Sequence, residues 1–315
     1  MNEVKKNKIY LSLAKVSSWT GLSRIFGLIR DVVTTNLLGA SVFHDIFVVT
    51  LKIPNLFRRF FAEGAFNQAF IPIYSDYQKG NDEKNTQEFI NSLAGSFLSI
   101  LFLFTILVLL ITPIFIFIFA PGFYYDDSKR IIAIDLLRIM FPYLALISLV
   151  SFASGIQNTH AKFSIPAFTP LIFNITLIVA AIFIAPIINL PVYALAWGVL
   201  IAGFLQLLIH IYALKNINRL PTPKINFSHP GQINVLKLML PAILAGGIVQ
   251  INLLIDTIFA SLLQTGSPTW LYVSDRLIQF PMGIFAIAIG TILLPTLSKI
   301  DVATNKNLFL SLIHI

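Results

Sequence analysis

The chain has 315 residues, 57% of them hydrophobic and only 11% charged, where a soluble domain carries about 25% charged residues. With a mean hydropathy of +0.83, lipid is the solvent for most of it. The formal charge of +8 is scattered through short loops and apolar segments, so no basic face exists to bind nucleic acid, and the lack of cysteine excludes disulfide and thiol chemistry.

The apolar runs are long, continuous and rich in Leu, Ile and Phe, which argues against the alternating strands of a membrane barrel and for helices, which satisfy their own backbone. A span needs about 20 apolar residues. Eight segments qualify: 9–38, 46–73, 89–119, 131–156, 167–188, 192–213, 236–263 and 270–297. The basic start, Met1 to Lys8, leads into a long glycine-spaced stretch with no small-residue cleavage site, so it reads as the first span and not as a removable signal peptide. Turn-forming residues join the segments, as in Gly39-Ala40-Ser41 and Thr265-Gly266-Ser267-Pro268. Counted over alternate loops, thirteen Lys and Arg fall on the side of the N-terminus and two, Lys129 and Arg130, on the other, which predicts a multi-pass protein with a cytoplasmic N-terminus.

A weak internal echo joins Ile71-Pro72-Ile73-Tyr74-Ser75 to Leu294-Pro295-Thr296-Leu297-Ser298, and Asp31…Leu37-Leu38 to Asp256…Leu262-Leu263, at an offset of about 223–225 residues. Parallel repeats of this kind occur in transporters. The expected organisation is a six-helix lobe over 1–213, an interlobe linker over 214–235, and the start of a second lobe over 236–315 whose remainder lies beyond Ile315.

Seven basic residues lie inside apolar segments: Arg24, Arg30, Lys52, Arg58, Arg59, Arg138 and Arg276. A charge at mid-bilayer costs at least about 2.5–3.5 kcal/mol. Arg138 is close enough to a span end to snorkel, whereas Arg24, Arg58 and Arg59 are too deep and must face protein or a watery cavity. Lys52, Asn55, Arg59 and Glu63 recur at intervals of three or four and line one helix face, with Arg58 about 100° round. Arg24 and Asp31 share a face of the first span, and the eighth carries Asp275, Arg276 and Gln279. One reading is internal pairing, Glu63 with Arg59 and Asp31 with Arg30 or Arg24. Against it, these spans hold six cations (Arg24, Arg30, Lys52, Arg58, Arg59, Arg276) and four acids (Asp31, Asp45, Glu63, Asp275), so pairing cannot neutralise the set. Unpaired arginine forks suit the oxygens of an anionic, phosphate-bearing ligand. Asp256 stands alone at membrane depth near Asn252 and Thr257, either protonated or paired, or as part of a Na⁺ or H⁺ site. The histidines have no metal-ligand spacing, Asp126-Asp127 reads as a solvated loop, and no nucleophile elbow or phosphate loop is present, so an enzyme is not expected.

The run Ser23-Arg24-Ile25-Phe26-Gly27-Leu28-Ile29-Arg30-Asp31 resembles the first-span signature of the MurJ/MviN family, the lipid II flippases of peptidoglycan synthesis. So does Lys52-Ile53-Pro54-Asn55-Leu56-Phe57-Arg58-Arg59-Phe60-Phe61-Ala62-Glu63-Gly64-Ala65-Phe66, and weaker matches at Ala120–Phe123, Phe163–Phe168, Asn252–Ser261 and Asp275–Leu277 extend the likeness over the chain. The resemblance implies an all-α polytopic membrane protein of the MOP exporter superfamily, with two lobes about a central cationic cavity and alternating access. Arg24, Arg30, Arg58, Arg59 and Arg276 match the family's cavity arginines, Asp45 and Glu63 its acids, and Asp256 a proposed sodium ligand. The implied activity moves an undecaprenyl-diphosphate-linked peptidoglycan precursor, lipid II, from the cytoplasmic to the outer leaflet of the inner membrane. No organic cofactor and no nucleic acid is implied, and a monomer among membrane lipids is expected. A cation-coupled multidrug or polysaccharide-lipid exporter of the same superfamily is the alternative. It should prefer cavity acids, where this chain has an excess of arginine.

Overall fold

The computed structural model describes residues 3–61, 64–80, 82–279 and 282, which are helices and turns with no strand among them. α1 (Glu3–Leu38) stops at Gly39, whose φ of +61° suits a helix-ending glycine and whose N–H donates to Thr35 O at 2.7 Å. The second expected segment is two helices, α2 (Val42–Phe61) and α3 (Ala65–Lys79). They part at Gly64, which sits at φ +61°, where an L side chain is strained. α4 (Glu83–Leu110) is capped by Asp82, which accepts from Asn85 N at 3.0 Å, and ends one residue before α5 (Thr112–Phe119). After the single turn of α6 (Pro121–Tyr124), Asp126 caps α7 (Asp127–Met140). Its bonds to the Ser128 side chain and Lys129 N–H hold the Asp126 carboxyl below its usual pKa.

α8 (Tyr143–Thr159) follows α7 after a turn at Pro142, and the two form one span. α9 (Ser164–Val179) runs on through a π-turn and a 3-10 turn to Ile187, and α10 (Pro191–Asn216) returns. Residues 217–229 are non-helical and lead to α11 (Pro230–Leu262).

Among the described residues four helices are long and apolar enough to cross a membrane: 83–110, 127–159, 164–187 and 191–216. α11 makes a fifth if its two halves, bent by 50°, count as one span. The bend falls between Ala245 and Gln250, a stretch whose sequence holds a Gly-Gly pair. α1 and α2, expected as spans, miss this measure, because α1 is diluted by Ser, Thr and Gly and α2 holds Asp45, Lys52, Arg58 and Arg59 within 20 residues. Past 279 the eighth expected span lies outside the described residues, apart from Met282.

Lipid supplies no hydrophobic drive between helices, so contact depends on shape. α1 lies along α9, α10 along α8 and α9, α2 against α7, and α3 between α8 and α11. The last group holds an aromatic core in which Phe66 stacks on Phe70 at 5.5 Å and on Phe97 at 4.9 Å, with Phe152, Val235 and Met239 beside them. Outward-facing Phe102, Leu103, Leu110 and Phe183 form the apolar surface that lipid would cover. By packing the chain divides into Met1–Thr269 and Trp270–Ile315. Within the first unit α11 packs along α3.

Candidate functional site

Ser23, Gly27 and Arg30 lie on one face of α1, and that face meets Asn174 of α9. Asn174 donates from Nδ2 to Ser23 O at 2.9 Å and accepts Arg30 Nη1 on Oδ1 at 2.9 Å. Arg30 also donates from Nε and Nη2 to Asp31 Oδ1, at 3.0 and 2.6 Å, and its guanidinium lies 5.6 Å from the Phe173 ring centre. Arg30 and Asp31 are both buried. The structure thus sets these two of the expected cavity residues in a lock between α1 and α9. Arg24, partly exposed, makes no ion pair among the described residues.

α2 changes character along its length. Residues 44–50 are buried all round, and from Lys52 onward the polar positions open: Lys52, Asn55 and Arg58 are partly exposed and Arg59 is exposed. Phe57 points into an aromatic cluster with Phe104, Phe115, Phe119 and Phe141, at 5.2 to 6.2 Å. Arg59, two residues on, is about 200° round the helix from that cluster and so faces away from the packed interior. Both arginines lie in the last turn of α2. Its unsatisfied carbonyls carry partial negative charge there, which favours a cation at a depth where it is otherwise costly. The break at Gly64 is therefore electrostatic as well as geometric. Glu63, the expected partner of Arg59, lies outside the described residues.

Asp45, expected beside the cavity cations, is buried at the opposite end of α2, and both its oxygens are taken. Oδ2 accepts Gly266 N at 2.6 Å, and Oδ1 accepts Thr269 N at 3.0 Å and Thr269 Oγ1 at 2.6 Å. The carboxylate thus caps free N–H groups of a chain segment 221 or more positions away. Beside it Gly122 N donates to Ser261 Oγ at 3.2 Å, and a Cβ on Gly122 would fall on the Ser261 carbonyl. The same end of the bundle is thus closed by α2 and α6 against the end of α11.

Asp256 and Asn252 are exposed on α11, while the Thr257 hydroxyl is spent on Leu253 O at 2.7 Å. No group of three His, Asp or Glu able to hold a metal occurs among the described residues. In the second unit Asp275 and Gln279 are exposed, and Arg276 lies 5.3 Å from the Tyr272 ring centre. Sequence reasoning missed Asn174 and Thr269. A lone Asn in an apolar segment and a Thr after Gly-Ser-Pro were the available signals.

These features define a polytopic α-helical membrane protein whose second helix ends in two arginines just before a break in the chain's helices. The family model of the lipid II flippase MurJ matches residues 34–314, and the chain belongs to that family. It is 44% identical over 287 residues to the probable lipid II flippase MurJ of Buchnera aphidicola subsp. Acyrthosiphon pisum, covering 91% of this chain and 56% of that protein. To the lipid II flippase MurJ of Burkholderia cenocepacia it is 38% identical, over 97% of this chain and 60% of that one. A solved structure titled lipid II flippase MurJ, inward closed conformation, superposes with a TM-score of 0.76 at 29% identity, covering 93% of this chain and 59% of that one. The chain thus spans a little over half the length of these relatives.

Proposed function

We propose that this chain supplies the cation-bearing first helices of a flippase that moves lipid II from the cytoplasmic to the outer leaflet by alternating access. The observation that carries the reading is Arg59, exposed at the break after α2, with no ion pair among the described residues. An exposed guanidinium at that depth is tolerable only beside water or an anion, and its fork matches a diphosphate. Arg24 and Arg58 bind beside it. Arg30 and Asp31 hold α1 in place.

The distribution of Lys and Arg puts the N-terminus in the cytoplasm, and spans built of helices and not of barrel strands suit the inner membrane. In that orientation the Asp45 and Gly122 contacts seal the outer end, so substrate enters from the cytoplasm. Asp256, with ligands from other helices, holds the Na⁺ that couples transport. The test is rescue: the full-length protein should restore growth when a bacterium's own lipid II flippase is depleted, and Arg24→Ala and Arg59→Ala should not. Full rescue by Arg59→Ala at normal expression would remove the arginine–diphosphate reading.

A further inference from the structure

Away from α1 and α2, at the membrane surface where α4 starts and α10 ends, the protein carries an open, shallow cationic site. A cavity of about 600 Å³ is lined by Lys84 and Gln87 of α4, Lys215 of α10, and Asn218 and Arg219 of the following turn. Three cations from two stretches of chain converge on it, Lys84 from one and Lys215 and Arg219 from the other, with Glu83 the one carboxylate in the lining. Basic loops are ordinary on the cytoplasmic face of a membrane protein. Three features set this one apart.

The arginine of the site is fixed. The Arg219 side chain is only 18% exposed, its Nη2 donates to Glu83 at 3.0 Å and its N–H to Leu214 O at 3.0 Å. By contrast Lys79, on the same side, is 77% exposed and paired with Asp76.

The wall is rigid. Asn218 takes a left-handed turn at φ +54°, Gln87 Nε2 donates to Leu220 O at 3.2 Å, and Thr222 N donates to Asn91 Oδ1 at 2.8 Å. A Cβ on Gly95 would fall on the Lys224 backbone, so the linker is seated directly on α4.

The site also continues into an apolar surface. Leu208, Ile211 and Tyr212 precede Lys215 by seven, four and three residues, share its face of α10, and are all exposed. A tyrosine at this level is where an interfacial aromatic sits.

We propose that this groove binds the phosphate headgroup of an anionic phospholipid, with the acyl chains lying along the Leu208–Tyr212 face of α10. Lys84, Lys215 and Arg219 supply a net positive surface that Glu83 neutralises only in part. The apolar face leading away from them selects a lipid over a soluble phosphate. The proposal rests on the chain's place in a bilayer and not on transport, so the loss of the flippase reading leaves it standing.

Native mass spectrometry of the purified full chain, titrated with phosphatidylglycerol or phosphatidylcholine, tests it. Phosphatidylglycerol should bind more tightly, and each neutralised cation should weaken it by about fivefold. Because Arg219 also ties the linker turn to α4, the double variant Lys84→Gln/Lys215→Gln, which changes only exposed side chains, is the principal comparison. It should lose about 25-fold in phosphatidylglycerol affinity and keep its phosphatidylcholine affinity, while Lys79→Gln should match the parent. Equal affinity for the two lipids, or an unchanged preference in the double variant, overturns the proposal. Displacement of the lipid by inorganic phosphate at constant ionic strength assigns the groove to a soluble anion and overturns it too.

Discussion

Arg30 and Arg59 look alike in the sequence, each a cation inside an apolar run, yet their surroundings differ: one is buried and the other exposed. Arg30 is enclosed by Asp31, Asn174 and Phe173, so its charge is matched on every side. Removing one member of a buried pair leaves a charge without a counter-charge, at a cost of about 3–5 kcal/mol. Asp31→Ala should therefore reduce the yield of folded, membrane-inserted protein and lower its melting temperature in detergent. Arg59→Ala should leave both unchanged and abolish rescue of growth, and Arg59→Lys should also rescue poorly, because an ammonium cannot reproduce a bidentate fork. If Asp31→Ala and Arg59→Ala lose stability equally, the division of labour is wrong. Depth and charge made both arginines stand out in the sequence. The division between them needed Asn174, which is 144 positions from Arg30 and reaches it only because α9 packs along α1.

At the scale of elements, interruptions of the helices matter as much as the helices. One continuous segment was expected over 46–73, and the structure divides it at Gly64. The division ends α2 immediately after its arginines and turns the carbonyl end of the helix toward them. Gly64 lies at φ +61° and ψ −93°, outside even the left-handed helical region, so Gly64→Ala should destabilise the protein by more than the about 1–2 kcal/mol of a left-handed residue. It should also cut transport by more than its stability loss explains, as the α2 end shifts. A drop in melting temperature with full transport would separate the break from the site. The apolar runs of α4, α9 and α10 were legible from length alone, but hydropathy averages over a single glycine and does not see the break.

Across the whole molecule, the bundle is tied at one end by Asp45 to residues 266–269, and by Gly122 to Ser261. The chain has no native cysteine, so one introduced at Ser267 is a clean reporter. Ser267 is buried. Asp45→Ala removes all three hydrogen bonds and should increase labelling of Cys at 267 by a membrane-impermeant thiol reagent applied from outside the cell. Unchanged labelling would mean that this end stays shut without Asp45. Sequence alone determined that the chain is a bundle of membrane-crossing helices with cations at depth, because in lipid every buried charge and every apolar run is a large, local free-energy term. Tertiary structure decided that Arg30 and Asp31 neutralise each other against α9, and that Asp45 caps a distant turn at the far end of α2 from Arg58 and Arg59. Those outcomes depend on helix packing and on hydrogen bonds between residues 144 and 221 or more positions apart, which no local pattern encodes.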